Sequence, residues 1–454
     1  MLDISRHGED EVDELELLTR PGREEELRMF LRLLHPADLA ELFDELNDDA
    51  ALKVFRNLPP DRAAEMLAEL DPEEQMRIIA SVKPEVYGPV FGEMDSDDVT
   101  DILQQLDEDT ARRILQTLPL KYRQDVQKLL SYDPYSAGGL MQTELVSVSV
   151  SSTVAQALEV VRKAADTIDI ISLFVVDDGS HYAGNVALQD LVLSKPDTPI
   201  EEVMEPKVVE VMPDVDQEEV ARIFDRYSLV ELGVVDAKGF LLGRITADDV
   251  HEVLVEEAEE DFLKVAGTAA ESDVIYSNKV FQIVGQRLPW LASTFLAGLF
   301  ASWILSMASI VFETAVILLF FVPVITGMSG NVGTQSAMIM IQGMASGHVD
   351  PQNLGQSIVK DITVCVIMAL LCGLSVAVIV GTWKNSAGLG VCVGVALTIA
   401  MTTASVLGST EPALLRRFGV DPAVAAGPLI TSINDISGVL IYTFVSVLFL
   451  DYIG

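Results

Sequence analysis

The feature that most constrains this chain is a run of five long apolar stretches in its C-terminal part: Leu288–Phe312, Thr314–Ile341, Ile362–Trp383, Asn385–Thr410 and Pro422–Leu450. Each reaches the ~20 residues that carry a helix across a bilayer core, where only helices and closed barrels satisfy their own backbone hydrogen bonds. Five membrane helices are therefore expected. Lys279 and Arg287 precede the first stretch, Lys360 the third, and Arg416 and Arg417 the fifth, all on one side of the membrane; only Lys384 falls on the other. Basic residues remain on the cytoplasmic side, which predicts the N-terminus inside and the C-terminus outside.

Charge divides the chain at the same place. Of 69 acidic residues, 62 lie before Tyr276, against 24 of the 30 basic ones, so nearly all of the net charge of -39 belongs to the N-terminal part. Such a surface repels phosphates, which argues against nucleic acid and against lying flat on an anionic bilayer, and it suits cations. Acids also keep a protein soluble, so a given carboxylate need not bind anything. Cys365, Cys372 and Cys392 lie in apolar segments with no metal-ligand spacing and imply no disulfide framework. The charged start, MLDISRHGED, is neither a signal nor a transit peptide, so the acidic part is expected in the cytosol.

From about Leu39 to Leu130 the apolar pattern repeats every twelve residues: Leu42-Phe43, Val54-Phe55, Met66-Leu67, Ile78-Ile79, Val90-Phe91, Ile102-Leu103 and Ile114-Leu115, each followed three positions on by Leu46, Leu58, Leu70, Val82, Met94, Leu106 or Leu118. That spacing is one face of a short helix, and breaks such as Leu-Pro-Pro-Asp at Leu58 separate the units. A superhelix of stacked short helices follows. Two mixed units come next. Val-Val-Asp, Gly and Asp recur at one offset, Asp177 to Asp236, Gly184 to Gly243 and Asp190 to Asp249, with strands expected at Leu145–Val148 and Val208–Met212. This β-α-β-β-α pattern resembles paired cystathionine-β-synthase (CBS) domains, which form regulatory dimers and often bind adenine nucleotides such as ATP. Thr246-Ala-Asp-Asp249 matches their Ser/Thr-x-x-Asp signature, making Thr246 and Asp249 candidate nucleotide contacts; the first unit has Ala187 at the hydroxyl position. Beyond it, Glu256, Glu257, Glu260 and Asp261 crowd a helix that leads to the membrane, and carboxylates so close repel unless a cation intervenes.

Two polar stretches interrupt the apolar part. Asp435 lies deep in the fifth, after Gly427-Pro428 and before Gly438, which are expected to loosen that helix and free carbonyls. A carboxylate there costs about 2.5–3.5 kcal/mol to insert, so it faces protein or water; a hydrogen bond to a neighbouring helix is the alternative to an ion site. The second stretch carries Pro323 and then Gly-Met-Ser-Gly-Asn-Val-Gly-Thr-Gln-Ser from Gly327. Small residues let helices approach, and amide oxygens accept hydrogen bonds from bound water. One acid among neutral oxygens suits magnesium, which retains its waters. No nucleophile–base pair or His/Cys cluster points to an enzyme or to zinc.

Helical repeat, paired CBS units, acidic linker and five spans, with Ser-Ala-Gly-Gly-Leu-Met from Ser136, Gly-Asn-x-Gly-x-Gln-Ser from Gly330, Leu-Leu-Arg-Arg-Phe-Gly-Val-Asp-Pro from Leu414 and Asn-Asp-Ile-Ser-Gly from Asn434, resemble the MgtE family of bacterial magnesium transporters. The expected organisation is an acidic tail (1–24), a helical-repeat domain (25–133), CBS units (134–200 and 201–254), a linker helix (255–280) and a five-helix transmembrane domain (281–454). The resemblance implies a homodimer in the bacterial inner membrane with its pore on the two-fold axis, lined by the second and fifth spans. Asp435 then holds hydrated magnesium, with Gly330, Asn331 and Asn434 around it and Asp421 at the inner mouth. It also implies closure when magnesium bridges Asp97, Asp101, Glu218, Asp249, Glu260 and Asp261; the crowding of the linker acids adds Glu256 and Glu257 as candidate regulatory metal sites. Ser228 stands where a sensor acid is expected, with Asp225 as the nearby substitute; Ser405 replaces an amide, and Glu411 an apolar residue. The rival expectations are a carrier for cobalt or manganese and a membrane-anchored nucleotide sensor that does not conduct.

Overall fold

The computed structural model describes residues 12, 14–82, 84–165, 168, 170–206, 209–265, 280–309, 315–345, 348–349, 354–418 and 425–453. It divides into two compact units, Met1–Leu254 and Val255–Gly454.

The first unit begins with short helices: α1 (Glu24–Leu31), α2 (Pro36–Asp44), α3 (Asp48–Asn57), α4 (Pro60–Ala68), α5 (Pro72–Ser81), α6 (Pro84–Phe91), α7 (Ser96–Gln105), α8 (Glu108–Thr117) and α9 (Leu120–Leu129). Pro at the first helical position starts α2, α4, α5 and α6, where the missing N–H would have had no partner anyway. Asn47 and Asp107 cap α3 and α8 by accepting the N–H of Ala50 and Thr110, each at 3.1 Å. Each helix from α1 to α7 packs against the next but one. The apolar pairs expected from the twelve-residue period form the core, and only Leu106 and Leu115 are partly exposed, near its end.

Two sheets follow. β1 (Ser147–Ser149) runs parallel to β2 (Ser172–Val176), which pairs antiparallel with β3 (Tyr182–Ala187), and β3 with β4 (Glu205–Pro206). The helices α10 (Val154–Ala164), α11 (Leu188–Leu193) and α12 (Ile200–Val203) connect them. After α13 (Gln217–Tyr227), β5 (Glu231–Val235) and β6 (Leu241–Thr246) form an antiparallel hairpin. The strand expected at Val208–Met212 is described from residue 209 and pairs through one parallel bridge, Val211 with Val234. The Ser136 motif enters the second sheet's core: Ala137 and Met141 pack with Val220, Leu232 and Ile245. A Cβ on Gly243 would strike the Gln142 carbonyl, so glycine is what lets these segments meet.

A buried ion pair locks the two CBS units. Arg244 on β6 donates to Glu231 on β5, Gln142 accepts from Arg244 Nε and Nη2 at 3.0 and 2.8 Å, and Ser172 on β2 donates to Glu231 at 2.5 Å. Arg244 and Glu231 are only 5% and 6% exposed, so the pair stands because its remaining donors and acceptors are satisfied. From β6 the chain runs into α14 (Ala247–Val265), the start of the expected linker helix; residues 266–279 lie outside the described residues.

In the second unit, five helices are long and apolar enough to cross a membrane: α15 (Val280–Met307), α16 (Val322–Ala345, entered through a 3-10 turn at Val316–Phe321), α17 (Leu354–Trp383), α18 (Ala387–Arg417) and α19 (Ile430–Ile453, entered through an irregular turn at Ala425–Leu429). α17 starts well before the expected Ile362, so Lys360 and Asp361 lie inside the helix rather than in a loop. The central helix is α18, which packs on α16, α17 and α19; 61% of its apolar window is buried, against 17% for α15 and α17, whose apolar faces are mostly uncovered by the rest of the chain. Tyr442, fully buried on α19, donates to the Leu318 carbonyl at 2.6 Å and joins the fifth span to the start of the second.

Candidate functional site

Span 2 (α16) and span 5 (α19) pack side by side, and their glycines and amides set the geometry. A Cβ on Gly333 would collide with the Asn434 amide, and one on Gly408 with the Gly333 carbonyl, so span 2 is clamped between spans 5 and 4 with no room for a side chain. Gly438 sits against Ser329, where a Cβ would lie 3.0 Å from Oγ. The expectation that Gly438 loosens the helix is thus corrected: α19 runs unbroken through it, because its lack of a side chain serves packing. The expectation at Gly427-Pro428 takes a definite form. Gly427 adopts φ −88°, ψ −139°, which breaks the helix, and the hydroxyls of Ser432 and Thr431 donate to the carbonyls of Pro428 and Gly427 at 2.6 and 3.4 Å.

Of the residues expected around a pore ion, Asn331 is exposed, Asp435 is partly exposed, and Gly330 and Asn434 are buried. Among the described residues neither Asn434 amide atom has a hydrogen-bond partner, and the side chain faces Gly333. Gln335, one helical turn after Asn331, is exposed too and extends the polar stripe; the i, i+4 spacing of two amides was the signal for it. An amide pointing into hydrocarbon without a partner costs about 2–7 kcal/mol, so this face of span 2 meets water or another protein surface. Asp421 lies outside the described residues.

A second site lies in the first unit, where α7 meets the start of α14. Asp97 is buried, and burial first, then the nearby charges of Asp249, Asp98, Asp95 and Asp101, hold its carboxyl well above the usual range. Burial likewise pushes Asp98 up to about 8, reinforced by Asp95, Asp249, Asp101 and Glu252. Asp249 is pushed up to about 6 by burial, with Asp248 and Asp95 adding, although it accepts the Thr246 N–H and hydroxyl at 3.2 and 2.6 Å. Glu252, one turn after Asp249, is raised by burial and then by Glu69. The structure therefore brings together the expected Asp97, Asp101 and Asp249, and adds Asp95, Asp98 and Glu252. Sequence spacing shows these acids as neighbours but not which helix faces converge. Ser96 ties the start of α7 to the segment before β1, donating to Glu144 at 2.7 Å and accepting the Thr143 N–H at 2.9 Å. Carboxylates forced this close together suit a divalent cation, which relieves their repulsion. Among the described residues no three His, Cys, Asp or Glu side chains are arranged to hold a metal ion, so this is a charged pocket rather than a finished coordination shell.

The remaining expected sensor acids are dispersed. Glu218 and Asp225 are exposed on α13, and Ser228, which takes the place of an acid, ends that helix in the left-handed conformation at φ 51°. Glu256 is exposed and Glu257 and Asp261 partly so on α14, where Glu260 pairs with Lys264 at 2.7 Å.

Five membrane helices with a polar seam, joined in one chain to an acidic helical repeat and a CBS pair, define a transporter of cations under intracellular control. Family models agree: residues 322–445 match a divalent cation transporter domain, 34–135 an MgtE intracellular N domain, and 137–196 and 200–256 CBS domains. The chain is 38% identical to the magnesium transporter MgtE of Thermus thermophilus over 72% of its own length and 73% of the relative's, and 33% identical to that of Enterococcus faecalis over 72% of both. Its fold also matches the crystal structure of the cytosolic domain of the Mg2+ channel MgtE in complex with ATP, with a TM-score of 0.51 and 37% identity over 53% of this chain and 99% of that one. The chain belongs to the MgtE family. It is a multi-pass membrane protein with intracellular N and CBS domains, and its family is one of transporters rather than enzymes.

Proposed function

We propose that this chain conducts magnesium into the cell through a pore on the two-fold axis of a homodimer in the bacterial inner membrane, with its C-terminus outside. The observation that carries the reading is the exposed Asn331–Gln335 stripe on span 2 beside the partly exposed Asp435 on span 5, polar groups that a lone protomer would leave in lipid. A second copy closes that face into a water-filled path. Asp435 attracts the ion, and the Asn331 and Gln335 amides accept hydrogen bonds from its retained waters, so magnesium need not shed its shell. Gly327, with open space where a Cβ would stand, keeps the path wide. Asp421 is the proposed inner-mouth acid. Two charges crossing 100 mV gain about 4.6 kcal/mol, which drives uptake with no coupled reaction.

Control comes from the acidic pocket. Magnesium bound among Asp97, Asp98, Asp101 and Asp249 relieves their repulsion and stabilises the closed arrangement; when it leaves, the repulsion returns and biases the equilibrium toward opening. Glu218, Asp225, Glu256, Glu257, Glu260 and Asp261 are the proposed further sensor acids. An adenine nucleotide modulates this at Thr246 and Asp249, the latter shared with the acidic pocket. The relative bound to ATP supports that assignment.

In proteoliposomes loaded with a magnesium dye, Asp435→Ala abolishes uptake while leaving a monodisperse dimer; full uptake by that variant removes the pore role. Inhibition by a hexammine complex separates recognition of a hydrated ion from carriage of bare cobalt or manganese.

A further inference from the structure

Behind the polar stripe, spans 2, 3 and 4 share a chain of hydrogen bonds that the pore does not use. Ser336 on span 2 lies 3.6 Å from Cys365 Sγ on span 3 and donates to Ser405 Oγ on span 4 at 3.4 Å. Ser405 donates to Asp361 Oδ2 on span 3 at 3.4 Å, and Ser409 donates to the same oxygen at 2.5 Å. Asp361 and Cys365 are one turn apart on one face of α17, as are Ser405 and Ser409 on α18. The three serines are at most 1% exposed, which keeps their hydroxyls out of contact with bulk solvent.

Counting protons gives this chain a direction. Each hydroxyl has one hydrogen to donate, so a run of hydroxyls needs a terminus that only accepts. Asp361 Oδ2 is that terminus. By accepting from the Ser405 hydroxyl, and from that of Ser409, which also lies 2.9 Å from the Ser405 carbonyl, it leaves the Ser405 oxygen to accept from Ser336. Ser336 belongs to the flank of span 2 that also carries Gly333, the residue packed on Gly408, whereas Asn331 and Gln335 point to the open side. The geometry points to Asp361 as a positioning residue for the conducting path: acting through Ser405 and Ser336, it fixes the rotation of span 2 and so the aim of its two amides. Asp361 does not touch the ion. Ser405 is the link between Ser336 and Asp361.

This inference rests on the pore reading above, and one experiment separates the two. The full chain is reconstituted as Asp361→Ala, Asp361→Asn, Ser336→Ala and the double Asp361→Ala/Ser336→Ala variant, and initial magnesium uptake is measured against external magnesium, with Asp435→Ala alongside. Losing one buried hydrogen bond of the relay lowers the maximal rate about fivefold in each alanine single variant. The half-saturating magnesium concentration is unchanged, because the ion's own ligands remain. The double variant falls no further than either single one. Asp361→Asn keeps most of the rate, since its amide oxygen still accepts. A double variant whose losses multiply, an Asp361→Asn variant as slow as Asp361→Ala, or a Ser336→Ala variant at full rate overturns the proposal. If Asp361→Ala fails to fold, Ser405→Ala, which breaks the relay in its middle, takes its place in the same cycle. Asp435→Ala at full rate overturns the pore reading instead.

Discussion

Replacing Asp98 by Asn tests whether the acidic pocket stores repulsion that magnesium relieves. In the folded protein burial and four neighbouring acids push the Asp98 carboxyl up to about 8 from an ordinary 3.8. Each unit of such a gap is worth about 1.36 kcal/mol, so at pH 7.5 the full penalty for keeping this group in place without metal reaches about 5 kcal/mol. Asn fills the same space without charge, but Asp95, Asp97 and Asp249 stay and still repel one another, so the stability recovered is on the order of 2 kcal/mol. For a unit of this size that raises the unfolding midpoint by about 4–8 °C. The sign follows from the raised value. A folded carboxyl that holds its proton more tightly than the unfolded chain contributes stability below about pH 4, and the contribution is lost as pH climbs through about 6 for Asp249 and about 8 for Asp98. Magnesium should therefore stabilise the wild-type cytosolic unit progressively more between pH 6 and 8, displacing protons as it binds. The assay is proteolysis of the full chain in detergent across a temperature ramp, with magnesium or chelator, from pH 5 to 9. Asp98→Asn should resist cleavage better than wild type in chelator at pH 7.5 and gain less from magnesium. A variant that is less resistant in chelator, or that keeps the full magnesium shift, refutes the stored-repulsion account.

Two further outcomes follow from packing. Arg244→Met strands Glu231 in the CBS core and should destabilise the cytosolic unit by about 3–5 kcal/mol in the same proteolysis assay, with part of the loss recovered by adding Glu231→Leu. Gly333→Val forces a side chain into the Asn434 amide and should abolish the monodisperse peak in size exclusion; at Gly327 an added Cβ meets nothing within 4 Å among the described residues, so Gly327→Val should preserve that peak while cutting magnesium uptake.

Much of this architecture follows from sequence because its signals are local and periodic. A twelve-residue apolar repeat with Pro at helix starts specifies short stacked helices, and the residues it marks, from Phe43 to Leu103, are those that become buried. Apolar stretches long enough to span lipid specify membrane helices, and a carboxylate at position 435 is conspicuous within one. Hydropathy marks only the apolar part of a longer helix: α17 begins at Leu354 and runs through Lys360 and Asp361 before the expected stretch from Ile362.

What the tertiary structure decided is which side chains meet. Asp98 and Glu252 join Asp97 and Asp249 only because α7 packs at the start of α14, and Asp361 reaches Ser405 and Ser409 only because spans 3 and 4 cross there. Asn434 and Asp435 are adjacent in sequence, yet one is buried against Gly333 and the other is partly exposed, since successive residues on a helix point about 100° apart. Sequence sets the period and polarity of each element; the meeting of distant faces is decided by close packing, which depends on volumes and glycine gaps contributed by several elements at once.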